Sequence, residues 1–133
     1  MQPILDPTRP IYLQIMEEIK RRAVRGQYRP GEQIPSVRDL AREMGVNPNT
    51  AARVYLELER EGFICTRRGQ GSFITEEPDR IAYERDRFAR EAARRCIESI
   101  RELELTEAQI EVILTELTQS LREISGTEPN QET

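Results

Sequence analysis

The sequence predicts a mainly α-helical fold with one small β wing, and three observations carry that prediction. Apolar residues recur at three and four positions over several separate stretches, the period of amphipathic helices. Two of these stretches are short, capped and joined through Gly45. Between residues 63 and 75, two short β-type segments flank the tip Arg67-Arg68-Gly69-Gln70-Gly71. Composition agrees, since 33% of the residues are charged and 5% aromatic, with no Trp, which describes a helical chain with a modest core. The 133 residues suffice for one domain with an appendage.

Residues 1–9 hold Pro3 and Pro7 and no periodicity, so they read as an extended lead-in. Pro10 suits the start of a helix. Ile11, Tyr12, Ile15, Met16, Ile19 and Ala23 then give it an apolar face, and Gly26 ends it. The basic run Lys20-Arg21-Arg22 and Arg25 near its end complements the helix dipole, with solvation or phosphate contact as its other uses. Arg29-Pro30-Gly31 marks a turn. Ile34, held extended by Pro35, is a candidate short strand beside the later hairpin.

Ser36 is an N-cap three residues before Asp39, and Leu40, Ala41 and Met44 form the apolar face of the helix it opens. Gly45 can take the left-handed conformation that ends this helix. Asn47 caps a second one, with Pro48 at its first position. A short helix, a glycine turn and a capped second helix make a helix-turn-helix. Ala51, Val54, Tyr55 and Leu58 are the core stripe of the second helix, and Glu57, Glu59, Arg60 and Glu61 face water until Gly62 stops it. In such a motif the second helix enters the DNA major groove N-terminus first. Asn47, Asn49 and Thr50 occupy that end, with Arg53 one turn on, and these are residue types that base edges and phosphates accept. The hairpin after it is then a wing, whose tip (Arg67, Arg68, Gly69, Gln70) can lie on phosphates or in the minor groove.

Glu76-Glu77-Pro78-Asp79 is a polar break. Beyond it, Ile81, Phe88, Ala92, Cys96, Ile97, Ile100 and Leu103 make one helical stripe. Thr106 and Gln109 suit a capping box for a last helix with the seam Ile110, Ile113, Leu114, Leu117, Leu121 and Ile124. The domains therefore read as 8–75 for the winged helix-turn-helix, 79–125 for a two-helix segment and 126–133 for a disordered tail. Two such thin helices need a partner surface. Phe88, Ala92, Cys96, Ile100, Ile110, Ile113, Leu114, Leu117 and Leu121 would meet their copies in a four-helix dimer interface. The other arrangement folds them back on residues 10–62.

The net charge of −4 is unevenly spread. Residues 1–75 carry 12 basic and 9 acidic side chains, and residues 76–133 carry 8 and 15. A chain acidic overall can still bind DNA through the basic part. Cys65 and Cys96 read as reduced, semi-buried small hydrophobes. No membrane-length apolar run and no opening signal peptide is present, which points to the cytoplasm. With no His, no Gly-rich phosphate loop and no base near either Cys, neither an enzyme nor a metal centre is expected, and no cofactor is called for. A winged-helix module used only for protein contacts would carry an acidic or apolar second helix and a wing without arginines, and this chain has neither.

Taken together, Pro10-Ile11-Tyr12, the run from Arg29 to Ala41, Gly45-Val46-Asn47-Pro48-Asn49-Thr50, the run from Leu56 to Ile64 and Arg67-Arg68-Gly69-Gln70-Gly71-Ser72-Phe73 resemble the GntR family of bacterial transcription regulators. The resemblance covers about residues 8–75. It implies a winged helix-turn-helix that binds double-stranded operator DNA as a homodimer, usually as a repressor. The short C-terminal part resembles the YtrA-type subfamily, whose members often control ATP-binding-cassette transporter operons along with their own genes. Carried over position by position, the DNA contacts fall on Arg38, Asn47, Asn49, Thr50, Arg53 and the wing residues Arg67, Arg68, Gly69 and Gln70. Many relatives have Arg where this chain has Ala52, and here the arginine stands at Arg53, so the contact at that turn differs. No convergent polar set identifies a small-molecule effector, and its class stays open.

Overall fold

A computed structural model describes residues 3–126. Its elements run α1 (Ile11–Val24), β1 (Gln33–Ile34), α2 (Val37–Met44), α3 (Pro48–Arg60), β2 (Ile64–Arg67), β3 (Gly71–Ile74), α4 (Pro78–Arg101) and α5 (Glu107–Gly126). Five helices and one three-stranded sheet bear out a mainly α fold with a small β wing. The predicted disordered tail, apart from Gly126 at the end of α5, lies outside the described residues. Among the described residues no helix is long and apolar enough to cross a membrane.

The chain divides into two compact units after Arg90. In the first, α1, α2 and α3 enclose a core of Ile15, Met16, Ile19, Leu40, Met44, Val54 and Leu58, closed from the sheet side by Ile34, Phe63, Ile64 and Ile74. The predicted stripes of the three helices all point into it. Capping follows the sequence. The Ser36 hydroxyl accepts the Asp39 amide at 3.1 Å, and the Asn47 side chain accepts the Asn49 amide at 2.8 Å. Each such cap contributes ~1 kcal/mol. Gly45 sits at φ 68°, ψ 37°, the left-handed conformation that lets α2 stop and α3 set off in a new direction. Pro10 precedes the first helical residue and occupies the N-cap position of α1.

Ile34 does pair with the hairpin. The sheet order is β1-β3-β2, antiparallel throughout, with Ile34 opposite Ser72 and Arg67 opposite Gly71. Gly71 has φ +113°, and a Cβ there would stand 2.6 Å from the Gln33 amide nitrogen. Any other residue at 71 would be strained by that φ and would also push the flexible Gln33 side chain aside.

Three sequence expectations change. Ile81, grouped with the C-terminal stripe, is only 7% exposed and belongs to the first unit's core. The first turns of α4 are part of the same compact unit. The basic run ending α1 is neither solvated nor available to phosphate at two of its positions. Lys20, 6% exposed, holds Glu61 at 2.7 Å and Glu84 at 3.3 Å, and Arg22 holds Glu43 at 2.5 Å and Glu18 at 3.4 Å. Burial works against the Arg22 charge, but its hydrogen bonds to Glu43 and Tyr28 outweigh that and raise its pKa above the usual arginine value. Finally, Cys65 is exposed rather than semi-buried, since β2 buries only its first residue, Ile64. Cys96 is half-buried.

In the second unit the expected capping box is present. The Thr106 amide donates to the Gln109 side chain at 2.9 Å, and the Gln109 amide donates back to the Thr106 hydroxyl at 3.2 Å. Along α5, Ile110, Leu114, Leu117, Leu121 and Ile124 are exposed, and along α4 so is Ile97.

Candidate nucleic-acid interface

Helix α3 builds the site by what it buries. Ala51, Val54, Tyr55 and Leu58 are within a few per cent of full burial, which turns Asn49, Ala52, Arg53 and Leu56 outward. The opposite orientation is closed to the helix, because each core residue contributes about 1.5–3 kcal/mol by leaving water. The Tyr55 hydroxyl donates to the Pro35 carbonyl at 2.5 Å, tying α3 to the start of α2. Burial pushes that phenol's pKa above its ordinary value, with the charges of Tyr28 and Glu43 acting in the same direction.

The residues assigned to DNA from the sequence occupy distinct local settings. Arg38 projects into solvent from the first turn of α2. Asn47 is exposed; its side-chain oxygen accepts the Asn49 amide, which leaves its NH2 group as the fully free part to meet a base. Asn49 is exposed and Thr50 half-buried. Arg53 sits over a ring, its guanidinium carbon 3.8 Å from the centroid of Tyr12 on α1. That stack holds the long side chain in one place and leaves its N–H edge open.

At the wing, the Gln70 amide closes the tip on the Arg67 carbonyl at 2.9 Å. The Gln33 side chain donates to the Gln70 carbonyl at 2.8 Å, bracing the tip from β1. Arg67 stacks on Phe73 at 4.8 Å, while Arg68 and Gly69 stand in open solvent. Tyr12, Gln33 and Phe73 are the supports that sequence reasoning missed. Tyr12 reads as one more apolar residue of α1. Gln33 is marked only by being the outward neighbour of Ile34 on a strand next to the wing.

Ion pairing distinguishes the arginines of the candidate interface from several others on the protein. Arg22, Arg42, Arg60, Arg80, Arg87 and Arg90 each hold a carboxylate. Arg38, Arg53, Arg67 and Arg68 hold none among the described residues, and all four are exposed. A guanidinium without an internal carboxylate keeps its full charge and donor set for an external anion. Among the described residues no group of three or more His, Cys, Asp or Glu is placed to hold a metal ion.

Of the residues assigned to dimerisation, Phe88 lies in the first unit, half-buried, with the guanidiniums of Arg21 and Arg87 over its ring at 5.0 and 4.7 Å. Ala92, Ile110, Leu114, Leu117 and Leu121 are exposed in the second unit, and Cys96, Ile100 and Ile113 are half-buried there.

Comparison with known proteins agrees with this geometry. Residues 11–74 match the model of the bacterial regulatory proteins of the gntR family. The chain is 43% identical over 103 residues to the HTH-type transcriptional regulator YhcF of Bacillus subtilis, a match covering 77% of this chain and 85% of that one. It is 47% identical over 74 residues to the HTH-type transcriptional repressor YtrA of the same organism, covering 54% of this chain and 57% of that one. A solved GntR family transcriptional regulator from Listeria monocytogenes superposes with a TM-score of 0.72 at 34% identity, over 84% of this chain and 98% of the other. A winged helix-turn-helix of this construction, matched in sequence along most of a relative's length, makes the chain a member of the GntR family of DNA-binding transcriptional regulators.

Proposed function

We propose that this regulator is a homodimeric repressor that occupies a two-half-site operator, with α3 of each copy in a major groove. The observation that carries this reading is where uncompensated positive charge falls on the first unit's reader: Arg38, Arg53, Arg67 and Arg68, on the helix-turn-helix and the wing, are all exposed and hold no carboxylate among the described residues. In this reading Arg38, Arg67 and Arg68 hold phosphates and set the register of the protein on the duplex. Asn49, Thr50 and the NH2 group of Asn47 meet base edges. Gly69 and Gln70 bring the wing backbone to the adjacent groove. Arg53, anchored on Tyr12, donates to a phosphate.

Pairing is supported by the exposed apolar residues of α5, Ile110, Leu114 and Leu117 among them, which a second copy would cover, and by the two-fold logic of half-site recognition. Residues 79–125 would serve as the dimerisation segment and 8–75 as the reader. Repression, and a target such as a transporter operon together with the protein's own gene, follow the likeness to the repressor YtrA.

Retardation of the protein's own promoter DNA at low salt, run alongside gel filtration, tests the proposal. A dimer that shifts the fragment, with affinity falling steeply as salt rises, supports it. A monomer that leaves the fragment unshifted overturns it.

A further inference from the structure

We infer that Ala52 and Leu56 form an apolar strip on the outward side of α3 that reads the C5 methyl group of thymine. The inference rests on the docking of α3 proposed above. Ala52 and Leu56 are one helical turn apart, so they stand in line on the same face. That face is opposite the core stripe and is shared with Asn49 and Arg53. Leu56 is 50% exposed, while Val54, Tyr55 and Leu58 beside it are buried. Neither residue is covered by a longer side chain, because the Arg53 guanidinium is drawn onto the Tyr12 ring.

The surroundings suit a groove. From Asn49 to Leu56 the outward face of α3 carries no carboxylate; Glu57 lies to the side, bonded to Arg60 at 2.9 Å. The distance along the axis from Asn49 to Leu56 is about 10 Å, roughly three base-pair steps, so both can face the same stretch of major groove. In that groove thymine alone presents a methyl group, and an apolar contact is how it is recognised. Ala52 and Leu56 offer no donor or acceptor to any other base edge. The polar readers at the start of the helix would then be followed by an apolar one.

Selection of bound sites from a random duplex library by the full chain, followed by replacing each thymine of the selected site with deoxyuracil, tests this. One thymine in each half-site is expected to matter. Losing its methyl weakens binding about fourfold, the equivalent of the ~0.8 kcal/mol that a buried CH2 contributes. In Leu56→Gln and Ala52→Ser that penalty shrinks toward none, with the fold retained and the melting temperature changed only on the scale of a surface substitution. If no deoxyuracil weakens binding to a selected site, the methyl reading fails and the docking of α3 stands. A penalty that persists undiminished in both variants assigns the methyl to other residues and also overturns the inference. A library that yields no enriched site overturns the docking of α3, and this inference falls with it.

Discussion

The two units of this chain use apolar residues in opposite ways. The first closes sixteen of them into a core reaching from Ile15 to Ile81, sealed by α1, α3 and the three-stranded sheet. The second buries none among its described residues, and supplies eight of the twelve large hydrophobic side chains that are exposed among the described residues of both units. Both sequences are amphipathic to the eye. The difference is closure: three helices and a sheet can enclose a volume, whereas the end of α4 and the single helix α5 cannot. A unit closed on itself can carry a recognition surface, and a unit left open is where a partner finds area to bury.

The strongest way to break that contrast is to remove a large residue from the closed core. Phe63 is 2% exposed at the junction of α3 and β2. Phe63→Ala is expected to cost about 3–5 kcal/mol, through lost burial and the cavity left behind. Calorimetry or denaturant titration measures it. A cost below about 1 kcal/mol, the scale of a surface change, would mean that this core is not closed as described.

The open unit predicts the reverse behaviour. Leu117 and Leu121 are exposed in the single chain, so placing Asp at both should leave the fold of the first unit and its thermal transition intact. What should change is association. Gel filtration is expected to show a monomer, and affinity for a two-half-site operator should fall about a hundredfold, the scale on which linked sites gain over single ones. A double variant that stays dimeric would move the pairing surface elsewhere.

These contrasts also mark what was legible in the sequence. Caps were legible because capping is local: Ser36, Asn47 and the Thr106–Gln109 pair each act within a few residues. Periodicity located the helices but could not say what each stripe meets. Ile81 and Ile97 lie on one continuous helix, and one is core while the other faces solvent. Charge was the least legible property. Lys20 looks like one more solvated cation until folding brings Glu61, which caps the end of α3, and Glu84 of α4 to it. The same holds in the candidate interface. Its exposed residues sit where a helix N-terminus and a hairpin tip had to expose them, but their supports, Tyr12 under Arg53 and Gln33 behind the wing, come from distant parts of the chain.

Within the closed unit the paired and unpaired arginines sharpen the contrast further. Arg42 is bridged to Asp39 at 3.6 Å, whereas Arg53 has only the Tyr12 ring. Arg53→Gln should weaken binding by about 1.5 kcal/mol, as for a hydrogen bond to a charged group. It should also flatten the dependence of log affinity on log salt by about one. The loss should be similar for every DNA sequence, as befits a phosphate contact. Arg42→Gln should leave the salt slope where it was. Titrations at several salt concentrations separate the two, and a loss at Arg53 confined to one base pair would make it a base reader instead.

The smallest effect concerns the bond that positions α3. Tyr55→Phe keeps the ring and removes only the hydroxyl that the Pro35 carbonyl accepts, so it should cost about 1 kcal/mol near neutral pH. Its pH dependence is more telling than its size. Burial holds the Tyr55 phenol above its ordinary pKa of 10.0, so the folded protein keeps a proton that the unfolded chain releases once pH passes that value. The stability linked to that proton is whole below the unfolded value and is lost as pH climbs toward the folded one. Denaturant midpoints measured from about pH 8 to about pH 12 should therefore fall more steeply in the wild type than in Tyr55→Phe, the two curves converging at the alkaline end. Parallel curves over that range would mean that the phenol is no better protected from water in the folded protein than in the unfolded chain, and that α3 is held against α2 by its apolar stripe alone.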